Sequence, residues 1–239
     1  NAGVEGMSIF YPEQDMNAAV PTVYPPTIMG SGDNVAVRNM LLVNSYFGID
    51  FATHPCGRHL IDGVYGQPLA VGIRVDQCYD IGRIKTIHFW PFWAALGTGA
   101  CEWQHNNAVS LDLLRTDWEV VEDIFSFGYH IGLRFTASKS GSCNGQFTDI
   151  NFDDVDIGVD LTDTQKPAVI FSNLNIANAG DGSTKVGILG RSGGEAHIIV
   201  RGGSFWGDLH QAISWANSGS VVLAESNVQQ WNSSYAAVE

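Results

Sequence analysis

Asp50, Arg74, Asp76 and Arg134 have the types that glycan chemistry uses, and their spacing puts them on neighbouring turns of one repeat. A carboxylate pair such as Asp50 and Asp76 on adjacent turns can cleave a glycosidic bond, one group handling the proton and the other serving as nucleophile or base. Guanidinium groups such as Arg74 and Arg134 can hold a sugar carboxylate through two parallel hydrogen bonds, or assist a lyase step beside a cation. Reading the outward position of one short strand in each repeat gives Asp50, Arg74 with Asp76, then Gly97 by count, Arg134, Asp160 and Ser214. The same alternation of sign also describes a solvated face on which charges neutralise one another, worth about 0–1 kcal/mol per pair.

An aromatic cluster accompanies them: His88, Phe89, Trp90, Pro91, Phe92 and Trp93, followed by Trp103, His105, Trp118, Tyr129 and His130. Alternation cannot bury every ring of HFWPFW. Trp90, Trp93 and Trp118 are assigned as platforms for sugar rings, which match an apolar face with a polar edge. His88 and Asp160 are further substrate contacts, while Phe89 and Phe92 are assigned to packing. The acidic run Asp153-Asp154-Val155-Asp156 offers oxygen ligands for Ca²⁺ or forms a solvated corner. Otherwise no metal or cofactor is expected: Cys56, Cys78, Cys101 and Cys143 lack zinc spacing, and no HExxH, P-loop, GxSxG or Rossmann glycine pattern occurs. Cys56 and Cys78 either form a stapling disulfide or remain buried thiols. Asn232-Ser233-Ser234 fits a glycosylation sequon.

A repeat positions these residues. Asn34 to Phe51 lies over Asn144 to Leu161 without gaps, Val37 falling on Phe147, Asn39 on Asp149, Met40 on Ile150 and Leu42 on Phe152. The anchor recurs at Val4, Val37, Ile61, Ile84, Val121, Phe147, Phe171, Val200 and Leu223, mostly 23 to 29 residues apart. Two residues after each anchor stands Gly6, Asn39, Gly63, Thr86, Asp123, Asp149, Asn173, Gly202 or Glu225. Asn, Asp and Gly tolerate left-handed backbone and suit a corner. A period in the twenties with two-residue alternation inside each copy specifies a solenoid. The fold expected is all-β: a right-handed parallel β-helix of about 8–9 coils, with three short strands per coil, in one domain over residues 1–239. Ala94 to Trp118 is the largest excursion and stands beside the charged groove, with Ala108 to Leu114 as a short helix or an added strand. Gln14 to Asp33 is Pro-rich and expected to be extended. Because uncapped coil ends expose unpaired backbone groups, the chain is expected to belong to a longer polypeptide or to have its ends covered by another chain or copy.

The 239 residues include 27 Gly and carry a net charge of −13, with only 12 Lys and Arg. That balance disfavours nucleic acid and anionic membrane surfaces as partners, and no apolar run is long enough to span a bilayer.

The segments GMSIFYPEQ, GRHLIDGVYGQPL, IGRIKTIHFWPFW and RTDWEVVEDIFSFGYHIGLRF resemble the pectate-lyase-like superfamily, in its branch of large secreted proteins related to glycoside hydrolases and pectate lyases. The resemblance covers nearly the whole chain and implies a single-stranded right-handed β-helix. It also implies a secreted, polysaccharide-active glycosidase or lyase with an oligosaccharide along its outer face. The three-aspartate signature of polygalacturonases and the calcium-aspartate set of pectate lyases are absent. The alternative is a non-catalytic structural or adhesive β-helix in a surface, filament or tailspike-like assembly.

Overall fold

The computed structural model describes residues 2–178, 185–231 and 234–239. The chain winds as a right-handed parallel β-helix of about eight turns. One sheet contains β1 (Gly3–Glu5), β2 (Ser8–Ile9), β4 (Ala36–Leu42), β6 (Leu60–Gly66), β8 (Arg83–Phe89), β10 (Glu119–Phe127) and β12 (Cys143–Asp153). It continues through β14 (Thr164–Asn178), β16 (His197–Arg201), β17 (Ser204–Leu209), β19 (Ser220–Ala224) and β20 (Asn227–Trp231). The second sheet stacks β3 (Pro26–Met29), β5 (Phe47–Phe51), β7 (Val71–Val75), β9 (Val109–Leu113), β11 (Ile131–Phe135), β13 (Ile157–Leu161), β15 (Val186–Gly190) and β18 (Gln211–Trp215).

The sequence anchors stand directly over one another, from Val4 on Val37 through Val121 on Phe147 to Val200 on Leu223. Every corner residue of the repeat has positive φ, from 50° at Asn39 to 70° at Gly6 and Gly202. That left-handed step resets the alternation. Val37 is buried, and the next inward side chains are Met40 and Leu42 rather than residues two and four further on. Through most of the molecule the first two expected strands are therefore arms of one bent strand. In the first and the last two coils the corner splits them into β1 and β2, β16 and β17, and β19 and β20.

The interior is a set of apolar columns. Phe147 and Phe171 stack with centroids 4.8 Å apart, and Phe135 meets Phe147 edge-on at 5.2 Å. Each such ring contributes about 1.5–3 kcal/mol through burial. Gly72 is glycine because a Cβ there would lie 2.3 Å from the Ser110 carbonyl and 2.6 Å from the Phe89 ring. The cysteines are all buried and free, so Cys56 and Cys78 are thiols and not a disulfide.

One polar pair is sealed in this interior. His59 Nε2 lies 2.9 Å from Glu119 Oε1, and His59 Nδ1 lies 2.9 Å from the Cys56 carbonyl. Burial works against a charged ring, but the Glu119 carboxylate and the neighbouring Cys78 outweigh it and push His59 up to about 10.

The long excursion is shorter than the sequence indicated. Helix α1 (Gly99–Asn107) occupies its middle, but Val109–Leu113 is β9, an ordinary rung between β7 and β11. Gln67 ties the excursion to the coil: its Oε1 accepts from Trp93 N and Ala94 N, and its Nε2 donates to the Ala94 carbonyl and Gln104 Oε1. Asn232 and Ser233 of the sequon lie outside the described residues.

Candidate functional site

Successive rungs of the second sheet carry outward side chains in strict lateral register. Asp50 lies beside Arg74, Arg74 beside Asp112, Asp112 beside Arg134, and Arg134 beside Asp160. In-register rungs lie roughly 4.8 Å apart, so charges far apart in sequence become neighbours. Counting through the excursion assigned this rung to Gly97; the residue there is Asp112. Gly97 lies before α1, because nineteen-odd residues of the excursion sit between β8 and β9 rather than adding to the ladder. The signal was present in the sequence. Val109-Ser110-Leu111-Asp112-Leu113 matches Phe47-Gly48-Ile49-Asp50-Phe51 and Ile131-Gly132-Leu133-Arg134-Phe135, with Ser110 in the place of the usual glycine.

Asp112 is the centre of the site. Arg134 donates to it through Nε at 2.9 Å and Nη2 at 2.8 Å, and Arg74 donates through Nε at 2.7 Å. Asp112 is 2% exposed, while the Arg74 and Arg134 side chains are 34% and 28% exposed. Burial alone would raise the Asp112 pKa; hydrogen bonding and charge from Arg134 and Arg74 overcome it and hold the carboxyl below its ordinary range. A carboxylate so clamped is an anchor for the guanidiniums and not a proton donor.

The two arginines close one side of a pocket of about 360 Å³, lined also by Asp50, Ala52, Thr53, Asp76, Leu114 and Thr136. Arg74 is further held over the Phe47 ring, 5.4 Å from its centroid. Asp50 accepts hydrogen bonds from Ala52 N, Thr53 N and the Thr53 hydroxyl, which fix its orientation. Asp76 sits at the end of β7. Its Oδ1 accepts from Gln77 N at 2.8 Å, Arg115 N at 3.0 Å and Ser138 Oγ at 3.0 Å. Its Oδ2 accepts no hydrogen bond among the described residues and is the oxygen left for a ligand. Asp50, Arg74, Asp76 and Arg134 thus meet in one pocket.

The remaining residues singled out in the sequence lie elsewhere. Asp160 is one rung beyond the pocket, held by Arg191 Nε at 2.6 Å and Nη2 at 3.0 Å. His88 and Trp90 line a separate recess of about 470 Å³ with Pro91, Ala95, Leu96, Phe125 and Phe127. Tyr65, His88 and Phe125 form a lateral column on the second arms of the bent strands. His88 lies 4.4 Å from the Trp90 ring and 5.0 Å from Phe125, and its partial burial lowers its pKa. These rings do not flank the charged pocket, because the corner between the second and third sides of the coil turns the two outward columns in different directions. Trp93 packs on Ala94, Ala100 and Cys101 and anchors α1. Trp118, half exposed in the turn before β10, lines neither recess. In the acidic run, Asp154 pairs with Lys185 at 2.6 Å, and Asp156 faces His130 at 2.9 Å and His105 at 3.3 Å. Asp154 and Asp156 are thus turned to different partners, Lys185 for the one and the two histidines for the other.

No family model, curated protein or solved structure matches the chain.

Proposed function

We propose that the chain is an extracellular polysaccharide-active protein of the pectate-lyase-like kind, which binds a glycan along the outer face of the second sheet and cleaves it there. The observation that carries this reading is the pocket in which Asp76 presents an open carboxylate oxygen beside two arginines braced by Asp112. The braced guanidiniums are rigid donors for sugar hydroxyls or a uronate carboxylate. Asp76 is the proton-transferring group, and Asp50, held by its own turn, is its carboxylate partner. Thr53 and Thr136 add hydroxyls for sugar recognition.

The test is a panel of neutral and uronate-containing oligosaccharides assayed for binding, for reducing ends and for the unsaturated product of a lyase. Asp76→Asn should remove turnover while sparing binding, and Arg74→Ala should weaken binding at least about tenfold. Full activity in both variants would remove the pocket from the reaction.

A second reading, a structural β-helix in an assembly, has its own observation. Around the first coils, Met7, Phe10 and Met29 are about half exposed, and a recess of about 600 Å³ opens between Gly3, Ile28 and Phe51. Another coil stacked on that edge would cover it. A soluble monomer that releases sugars would favour the catalytic reading, and end-to-end polymers without sugar release the structural one.

A further inference from the structure

We infer that His59, Cys78 and Glu119 form an interior site for a divalent metal ion of the zinc type. The three come from separate coils: His59 precedes β6, Cys78 lies in the turn after β7, and Glu119 opens β10. All three are buried, and one donor atom of each lies within 4.8 Å of the others.

The hydrogen bonding around the trio requires a positive centre. His59 Nδ1 faces the Cys56 carbonyl at 2.9 Å, so Nδ1 carries a hydrogen and donates it. The neutral ring then turns the Nε2 lone pair toward Glu119 Oε1, 2.9 Å away and itself an acceptor. Two acceptors at that distance need a cation between them, either a proton or a metal ion. Two features favour the metal. Glu119 Oε2 is fully buried without a hydrogen-bond partner, and a proton shared by His59 and Glu119 leaves it so. Cys78 Sγ also stands beside the pair, within 4.8 Å of a donor atom of each, and donates a hydrogen bond of 3.3 Å to the Asp80 carbonyl, so a soft third ligand is already in place.

The donor set suits zinc. Thiolate, imidazole and carboxylate together are ligands of a borderline ion, whereas calcium and magnesium take oxygen alone. One thiolate and one carboxylate balance a divalent charge, so no net charge is buried. The Nδ1 bond to a backbone carbonyl is the usual outer support of a metal-bound histidine. Tetrahedral edges for metal–ligand bonds of 2.0–2.3 Å are about 3.3–3.6 Å, so His59 Nε2 and Glu119 Oε1 need part by only a few tenths of an ångström from 2.9 Å. Binding releases the Cys78 proton and any proton shared by His59 and Glu119. Gly82 closes the site: a Cβ there would lie 2.1 Å from His59 Cε1 and 2.5 Å from Glu119 Oε2. With no opening to solvent, the ion enters as the coil folds and leaves slowly.

The experiment is metal analysis of the full chain after unfolding and refolding with zinc, with Co²⁺ or with chelator, followed by desalting. About one ion per chain is expected with either metal. Co²⁺ should give a thiolate-to-metal charge-transfer band, and the chelated sample should melt at a lower temperature. Cys78→Ser should abolish the band and lose at least about 100-fold in zinc affinity, beyond the 10–100-fold typical of outer-shell changes. Glu119→Gln should also weaken zinc binding. Absence of retained metal in the folded wild-type chain, with melting indifferent to zinc and chelator, would overturn the site and leave a shared proton between His59 and Glu119. Metal retained equally by both variants would overturn it too, since the ion would then sit elsewhere.

Discussion

The two charged clusters of this molecule are built by the same stacking and put to opposite conditions. At Asp112, one buried carboxylate meets two arginines whose outer halves reach solvent. At Glu119, a carboxylate meets His59 with neither group exposed. The first arrangement keeps guanidinium donors at a pocket wall, where a ligand can use them. The second has no contact with solvent and can act only on folding or on an ion enclosed with it. In-register coils bring charges together; distance from the outer face decides whether they become a binding surface or an interior fixture.

The largest effect should come from the interior cluster. Glu119→Gln keeps the shape and removes the charge, leaving His59 without its counter-charge. A loss of about 3–5 kcal/mol is expected in urea denaturation, the usual cost of breaking a fully buried pair. Asp112→Asn should cost less, about 1–3 kcal/mol, because water can solvate the exposed parts of Arg74 and Arg134. An equal or larger loss for Asp112→Asn would mean that solvent access does not distinguish the clusters.

Acidity sharpens the same contrast. The folded chain holds Asp112 below its ordinary pKa, so its stabilisation is complete above the unfolded value, about 3.9, and disappears as pH falls through the folded value. The gap in melting temperature between wild type and Asp112→Asn should be constant near neutrality and close below about pH 4. A gap that persists in strong acid would show that Asp112 acts through shape and not charge.

The smallest effect belongs to the corners that set the register. Thr86 is β-branched and sits at φ 53°, whereas the same corner is Asn at 39 and 173. Thr86→Asn should relieve strain and stabilise by about 1 kcal/mol, measured as a shift in the urea midpoint. No gain, or a loss, would mean that the threonine methyl compensates by packing.

The amino-acid sequence determined the winding by itself. Apolar alternation, interrupted by a residue that accepts left-handed backbone, fixes where the strand bends, and its recurrence fixes which residues stack. The anchors from Val4 to Leu223 and the corners from Gly6 to Glu225 could be read from type and spacing because they are local features repeated many times. The expected carboxylates and arginines around Asp50 and Arg134 followed from the same period. Asp112 did not, since an inserted helix removed the even count and Ser110 stood where the repeat has glycine. Only the tertiary structure decided which outward columns share a face, and so separated the Trp90 rings from the charged pocket. It also decided the meeting of His59 and Glu119, 60 residues apart in the chain and a few ångströms apart in space. Period-two patterning records only whether a side chain points inward or outward; which inward polar groups touch depends on how many coils lie between them.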